Sequence, residues 1–187
     1  MDRRVGFTVD DYLSLPDDAP RCELVEGVFH VTPAPNRSHQ DVVYTLHRRL
    51  RSHCKRRRCG KVMGAPFDVV LGDATVVQPD VLFVSRERRD EVLGDQGRAH
   101  GAPDLVVEVL SPSTTRYDRT KKRRVYSKAG VRELWLVDVV RRTLEVWTPG
   151  PRGLTRRRTL RGREPLAGTV VPGYRVRVDL FFEDLDD

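Results

Sequence analysis

Apolar and polar positions along the chain predict a mixed order of short helices and strands. Residues 7–16 (FTVDDYLSLP) predict a short helix, and Thr8 is placed to cap its N-terminus. Residues 21–33 (RCELVEGVFHVTP) contain two short apolar runs around Glu26-Gly27. Two such runs joined by a tight turn predict a β-hairpin.

A longer amphipathic helix is predicted after the hairpin. Val42, Leu46 and Leu50 recur at helical spacing, which indicates one apolar face. Ser38 is the predicted N-cap, and the pattern ends near His53. A run of basic residues follows, and such residues are favourable at the end of a helix.

Strands dominate the rest of the chain. Apolar runs predict strands at residues 61–71, 75–85, 102–112, 131–140 and 143–149, a short strand pair around Gly150-Pro151 and a final amphipathic segment at 176–185. Pro79 makes the second strand irregular, because proline is confined to strand edges, starts and bulges. A helix is predicted from Thr114 or Thr115 to Ala129, closed by Gly130. The order of elements predicts an α/β or α+β fold.

Length and composition narrow the class of protein. The chain has 187 residues, which suits one domain covering residues 1–187. It contains no apolar run of membrane-spanning length and no signal-peptide pattern, so we expect a soluble cytoplasmic protein with no membrane partner. The three cysteines are too few for a disulfide framework. Cys54 and Cys59 with nearby histidines do not match the usual zinc-ligand spacing.

The net charge of +7 is concentrated in three segments. Residues 47–61 and 116–132 contain eight Lys or Arg each, and residues 152–163 contain six. Such patches can bind the phosphates of nucleic acid. A solvated, arginine-rich surface explains the same composition, so charge alone leaves both interpretations open.

Two acidic residues lie inside apolar strands. Glu108 interrupts the run LVVEVL, and Asp80 follows Pro79 within the second strand. An ionised carboxylate in a dry interior is unfavourable by several kcal/mol unless it is paired or binds a metal. Two carboxylates with water suit Mg²⁺, and Lys122 on the next helix could stabilise charge on a phosphate. Pairing with arginine, or a position at a strand edge, is the alternative for each acid.

Several segments together resemble a known family. They are CELVEG, SHQDVVYTL, QPDVLFV and the whole of residues 103–138. In these segments the chain is similar to the Uma2 family, whose members are described as restriction-endonuclease-like proteins of the PD-(D/E)XK nuclease superfamily. The resemblance covers about residues 7–180. It implies a restriction-endonuclease-like core, in which helices flank a central mixed β-sheet.

The resemblance assigns roles to particular residues. Pro79-Asp80 matches the PD of the superfamily motif, and Glu108 matches its second acid. Leu110 stands where the motif has lysine, which is a departure, and Lys122 on the following helix matches the displaced lysine. Asp80 and Glu108 are then the metal ligands, with the Val109 carbonyl as a further ligand.

Three more residues have roles by resemblance or position. Glu23 matches a recurrent glutamate, which either assists the metal site through water or pairs with an arginine. His39 matches a recurrent histidine, which near a helix start suits packing or hydrogen bonding better than base catalysis. Tyr126 lies one helical turn after Lys122, where it can pack or orient the site.

The function implied by the resemblance is a Mg²⁺- or Mn²⁺-dependent DNA endonuclease, acting through Asp80, Glu108, Lys122 and Glu23. The residues expected to bind the DNA backbone are Arg56, Arg57, Arg58, Arg119, Lys121 and Arg123. A catalytically inactive nucleic-acid-binding module and a plain interaction protein are the alternatives. Cutting both strands of a duplex is simplest with two active sites, so we expect a homodimer, with the edge of the C-terminal strands as its interface.

Overall fold

Two β-sheets with flanking helices form the fold, which is described here from a computed structural model over residues 6–16, 18–31, 33–94, 97–111 and 115–185. The helices are α1 (Val9–Leu13), α2 (Arg37–Arg57), α3 (Arg89–Leu93), α4 (Thr115–Tyr117) and α5 (Arg123–Ala129), with a π-helical turn at Asp118–Lys122 and 3₁₀ turns at Val178–Phe181 and Glu183–Leu185. The strands are β1 (Cys22–Val25), β2 (Val28–Val31), β3 (Gly60–Gly64), β4 (Val69–Val70), β5 (Val76–Val77), β6 (Val81–Ser85), β7 (Ala99–His100), β8 (Leu105–Leu110), β9 (Glu133–Asp138), β10 (Thr143–Gly150), β11 (Gly153–Arg161), β12 (Pro165–Ala167) and β13 (Arg175–Arg177).

The larger sheet has six strands in the order β11-β10-β9-β8-β6-β3. Strands β8 and β9 are parallel and the other neighbours are antiparallel, so the sheet is mixed, as predicted. A second sheet has the order β2-β1-β5-β4-β7, and it carries the predicted N-terminal hairpin at one edge. The fold class expected from the sequence is therefore confirmed.

The six-stranded sheet is buried on both faces. Leu46 and Leu50 of α2 pack with Val107 of β8 on one face. On the other face, Tyr126 of α5 packs with Val106 of β8. Successive side chains of a strand point to opposite faces, so Glu108 shares the face of α5. This explains why the apolar run around Glu108 is continuous.

Helix α2 is longer than predicted and is capped by a different residue. The side chain of Asn36 accepts a hydrogen bond of 2.9 Å from the backbone N–H of His39, so Asn36, not Ser38, is the N-cap. The helix continues to Arg57 instead of ending near His53. Asn36 is among the best N-cap residues, which explains why the helix begins two residues earlier than the predicted cap.

Replacing Asn36 with alanine is expected to lower the free energy of unfolding by about 1 kcal/mol. The substitution leaves a donor of the first turn of α2 without its side-chain acceptor. Ser38→Ala is the matched control, since Ser38 is exposed within the first turn, and its effect should stay below about 0.5 kcal/mol. Urea denaturation measures both values. An equal loss in the two variants would contradict the assignment of the cap.

Two of the predicted strands are each divided between the sheets. The predicted strand 61–71 forms β3 in the larger sheet and β4 in the smaller one, and 75–85 forms β5 and β6 in the same way. Pro66 and Pro79 lie at the two breaks, and proline has no N–H to donate to a ladder. Asp80 therefore lies where the chain passes from one sheet to the other.

The C-terminal part contains a long hairpin instead of a short strand pair around Gly150-Pro151. Strands β10 and β11 have eight and nine residues, and β11 is an edge of the six-stranded sheet. The predicted amphipathic segment at 176–185 forms two 3₁₀ turns, in which Phe181 is buried. In the part of the chain that the structure describes, no helix has the length and apolar character that a bilayer crossing requires.

Candidate active site

A cavity of about 490 Å³ lies where the N-terminal hairpin, the start of α2 and the π-helical turn meet. Its walls include five of the residues that the sequence singled out, namely Glu23, His39, Asp80, Glu108 and Lys122. Val109 lines the same cavity, and its carbonyl oxygen lies 2.9 Å from Nε2 of His39. The structure thus brings the predicted catalytic and metal-binding residues to one place.

Strand register places Asp80 and Glu108 opposite each other. In the antiparallel pair of β6 and β8, Val81 is the partner of Val107. Continuing this register by one residue sets Asp80 against Glu108, and directly opposed residues lie on the same face of a sheet. Asp80 also accepts a 2.8 Å hydrogen bond from the backbone N–H of Val109, which fixes its side chain against β8.

Glu108 is almost fully buried, with 4% of its surface exposed. Its Oε1 lies 2.7 Å from the ammonium of Lys122, and the hydroxyl of Tyr126 donates to the same oxygen. Burial raises the pKa of Glu108 to about 8, and the nearby carboxylates of Asp80 and Asp118 add to the rise, while Lys122 opposes it. Glu108 can therefore take up or release a proton near neutral pH.

Lys122 is held between two carboxyl groups. Its Nζ lies 2.9 Å from Oε1 of Glu23 and 2.7 Å from Oε1 of Glu108. Burial alone would lower the pKa of Lys122, but the two carboxylates outweigh it and hold the pKa well above its ordinary value. The buried ammonium therefore keeps its positive charge beside the cavity.

The helical segment that carries Lys122 differs locally from the prediction. Its described part begins at Thr115, and Thr114 lies outside the described residues. Between α4 and α5 the chain makes a π-helical turn, which contains the buried Asp118 and Lys122. Asp118 also lines the cavity. Single π-turns are rare and frequently occur at functional sites.

Glu23 also links the N-terminal hairpin to the Pro79-Asp80 bend. Its Oε1 accepts a 2.7 Å hydrogen bond from the backbone N–H of Gln78. The side chain of Gln78 in turn donates to Asp68 at 2.8 Å and accepts from Arg21 at 2.7 Å. Gln78 and Arg21 both line the cavity, and sequence reasoning missed them. The only signal for Gln78 was its place beside the motif proline.

His39 makes the hydrogen bond that its position at a helix start suggested. Its Nε2 lies 2.9 Å from the carbonyl oxygen of Val109 and 3.4 Å from Oδ2 of Asp80. Because both neighbours are acceptors, Nε2 carries a hydrogen and donates it to the Val109 carbonyl. Burial lowers the pKa of His39, but the Asp80 carboxylate and the Val109 carbonyl outweigh this effect and raise it overall.

Three buried polar atoms near this cavity have no hydrogen-bond partner within the described part of the chain. They are the hydroxyl of Tyr117, Nε2 of His30 and Nδ1 of His39, and all three residues line the cavity. The rings of His30 and Tyr117 lie 4.7 Å apart. Buried polar groups are normally satisfied, so these atoms indicate a cavity that receives water or a polar ligand.

The donor set suits a hard divalent cation. Asp80, Glu108 and the Val109 carbonyl present oxygen atoms to one cavity, and oxygen ligands are what Mg²⁺ prefers. No group of three or more His, Cys, Asp or Glu side chains in the described ranges is arranged to hold a metal, so the protein would provide two carboxylates and a carbonyl, with water completing the shell. His39 already donates to the Val109 carbonyl and would have to share that oxygen.

Most of the predicted DNA-binding residues lie away from this cavity. Arg56, Arg57 and Arg58 end α2, and its 1.5 Å rise per residue puts Arg57 about 27 Å from His39 at the other end. Lys121 is exposed. Burial lowers the pKa of His30, and the positive charge of Lys121 lowers it further. Lys121 is therefore the predicted basic residue with a clear electrostatic link to the cavity.

Arg119 and Arg123 are occupied by contacts within the protein. Arg119 donates to Glu145 at 2.6 Å, and Arg123 donates to the Leu154 carbonyl at 2.9 Å while lying over the ring of Trp147. These contacts attach the helical segment to the long hairpin. They give both arginines a structural role, whatever else they bind.

Two other acids and the three cysteines are structural side chains. The fully buried Asp104 directly precedes β8 and accepts hydrogen bonds from Ser85, Arg88 and Arg132. Asp138 ends β9 and binds Arg141 at 2.8 Å. Cys22, Cys54 and Cys59 are free thiols, in agreement with the absence of a disulfide framework.

This chain is similar to known proteins over most of its length. A family described as Uma2, "Putative restriction endonuclease", matches residues 9–179. The chain belongs to the Uma2 family. A solved structure from Anabaena variabilis ATCC 29413, described as "a putative nuclease belonging to DUF820", is similar to this Uma2 chain with a TM-score of 0.78 and 21% identity, covering 94% of this chain and 97% of the other. No curated protein matches. At this identity the structural likeness shows a shared fold.

Proposed function

We propose that this Uma2 protein is a metal-dependent endonuclease that hydrolyses phosphodiester bonds in DNA. The observation that carries the proposal is the meeting of Asp80, Glu108 and the charged Lys122 at one cavity. Membership of a family described as "Putative restriction endonuclease" supports the same reaction class. A phosphodiester is an anion, so the two carboxylates beside the buried Lys122 ammonium repel it. The ammonium can bind the phosphodiester only where a metal cation offsets the charge of the carboxylates.

The residues of the chain divide the chemistry between them. Asp80 and Glu108, with the Val109 carbonyl, would hold Mg²⁺ or Mn²⁺. That ion supplies a polarised water and positive charge next to the phosphate. Lys122 lines the cavity, where its ammonium can donate to a phosphoryl oxygen as negative charge develops there. Glu23 contacts Lys122 at 2.9 Å and so holds the ammonium in place. Hydrolysis forms a P–O bond to water and breaks the P–O bond to the leaving sugar.

A plasmid assay tests the proposal. The wild type should convert supercoiled DNA to nicked DNA with Mg²⁺ or Mn²⁺ and stop when EDTA removes the metal. Asp80→Ala, Glu108→Ala and Lys122→Ala should each lose this nicking. Nicking that persists in all three variants would mean that another site, or a contaminant, cuts the DNA. Circular dichroism of each variant shows whether it is still folded.

Binding of nucleic acid without cleavage is the second candidate function. The tight contacts of Glu108 with Lys122 and Tyr126 favour it, because both donors already occupy one oxygen of the carboxylate. In the same assay, this function gives no nicking with any metal, while the protein still retards DNA in a gel.

A homodimer is proposed for cleavage of both strands. Strand β11 is an edge of the six-stranded sheet, and such an edge can pair with a second copy. Light scattering at micromolar concentration should give about twice the 21.4 kDa mass of the chain. A mass equal to one chain would contradict the dimer.

A further inference from the structure

The candidate active site continues into a second cavity of about 570 Å³. The two cavities share four wall residues, namely Arg21, Pro35, His39 and Asp80. Asp80 therefore lies at the boundary between them. A phosphate bound near Asp80 would have one neighbouring nucleotide on each side, and the second cavity is where one of them would lie.

The walls of the second cavity suit an unpaired nucleobase. They combine two rings, Tyr44 and His47, with the apolar side chains of Val43, Val62 and Met63. Tyr44 is 65% exposed, although it is a large aromatic residue. Burial lowers the pKa of His47, and the nearby Arg51 lowers it further, so the ring is neutral at neutral pH. Bases stack well on aromatic rings of this kind.

A third cavity, of about 650 Å³, follows the second and is strongly basic. It shares Arg51, Val62 and Met63 with its neighbour. Its cationic wall residues are Arg51, Lys55, Arg58, Lys61, Arg86 and Arg89. Among the residues that the structure describes, no acidic one lines it. Arg89 binds Asp90 at 2.8 Å, whereas the other five cations form no ion pair with any acid that the structure describes. Unpaired cations in one groove fit a row of phosphates.

These features follow one face of α2. Tyr44, His47, Arg51 and Lys55 are spaced by three or four residues, which aligns them along the helix, and Arg58 is its C-cap. From His39 to Arg57 the axis covers about 27 Å. That length accommodates about eight phosphates at the 3.4 Å spacing of one DNA strand, and fewer if the strand is extended.

We propose that the three cavities form one binding track for single-stranded DNA. In this track an unpaired base beside the cleaved phosphate stacks on Tyr44, and the following phosphates bind Arg51, Lys55, Arg58 and Lys61. The inference rests on the proposed function for the position of the cleaved phosphate. Binding of the single strand does not depend on the proposed function. A duplex reaches the track only where its strands are locally unpaired, because a paired base cannot enter the Tyr44 cavity without leaving its stack.

Fluorescence anisotropy in EDTA tests the second and third cavities of the track without cleavage. The probes are a labelled single strand of about 16 nucleotides and the duplex of the same sequence. The wild type should bind the single strand at least about 10-fold more tightly than the duplex. Tyr44→Ala should weaken binding of the single strand by about 5- to 100-fold, and Tyr44→Phe should restore it, since stacking needs the ring and not the hydroxyl.

A charge-matched pair of variants tests the basic groove. The first replaces Arg51, Lys55, Arg58 and Lys61 with alanine, and the control replaces Arg152, Arg163, Arg175 and Arg177, which are exposed in the C-terminal part and lie outside β11. The first should reduce the slope of log affinity against log salt by about 3, since each phosphate contact contributes about 0.7 for a single strand. The control should leave the slope almost unchanged.

The outcomes separate this inference from the proposed nuclease activity. Single-strand binding that depends on Tyr44 and the groove supports the track, even if plasmid is never nicked and the nuclease proposal fails. Tighter binding of the duplex overturns the inference. It is also overturned if Tyr44→Ala binds like the wild type, or if the two quadruple variants lose the same affinity, even where the plasmid is nicked as proposed.

Discussion

Replacing Lys122 with methionine is expected to lower the free energy of unfolding by about 3–5 kcal/mol at pH 9, above the pKa of about 8 of Glu108. Lys122 is 4% exposed and lies within 2.9 Å of Glu23 and 2.7 Å of Glu108. Methionine fills much of the same volume but leaves two buried carboxyl groups without their cation. Removing one partner of a buried ion pair has an effect of this size because the remaining charge is uncompensated. The same variant should fail to nick plasmid.

The neighbouring residue provides the matched control for stability. Lys121→Met makes the same chemical change at an exposed position of the same turn, and it should alter the free energy of unfolding by less than about 0.5 kcal/mol. The double variant Glu23→Gln/Lys122→Met should recover part of the loss, since it removes one of the unpaired carboxylates. Urea denaturation at pH 9 measures all three. A Lys122→Met variant as stable as Lys121→Met would show that the buried ion pairs are absent in solution.

The stability of the metal-free protein is expected to fall as the pH rises from about 5 to about 9, by an amount on the order of a few kcal/mol. Burial raises the pKa of Glu108 from 4.5 to about 8. Between these two values the folded chain binds a proton that the unfolded chain has lost, so folding is favoured at low pH. The stabilisation is complete below about pH 4.5 and is lost as the pH passes through about 8.

Glu108→Gln isolates this effect, because glutamine resembles the protonated carboxyl group and does not titrate. The variant should show a flatter curve of stability against pH over the same range in EDTA. The raised pKa of His39 contributes a slope of the same sign in both proteins, so it cancels in the comparison. The lowered pKa values of Asp104 and Asp138 act below pH 4. Parallel curves for wild type and variant would refute the assignment.

Mg²⁺ extends the same experiment. A metal ion and a proton compete for the Glu108 carboxylate, so Mg²⁺ should raise the melting temperature of the wild type more at pH 9 than at pH 6. The rise should be absent in Glu108→Gln. An equal rise at both pH values would place the bound metal elsewhere on the protein.

The sequence by itself determined most of the local elements and which acidic and basic residues are candidates for the site. The sequence marks Glu108 and Asp80 as unusual, because Glu108 lies inside an apolar strand and Asp80 follows a strand-breaking proline. Burial of an unpaired charge at such positions is unfavourable. The hairpin at Glu26-Gly27 and the cap at Thr8 depend on residues at most a few positions apart. The resemblance then connected these positions with Lys122.

Only the tertiary structure decided which distant groups meet. Lys122 and Glu23 are separated by 99 positions, and their contact depends on how the N-terminal hairpin packs against the π-turn. The order of strands also decided that Arg119 binds Glu145, and the packing of β3 beside α2 decided that Val62 and Met63 line both the cavity at Tyr44 and the cavity at Arg58. Periodicity reports which face of an element is buried, but not which other element covers it. Which elements cover each other depends on the packing of the whole chain, and no local stretch of sequence determines it.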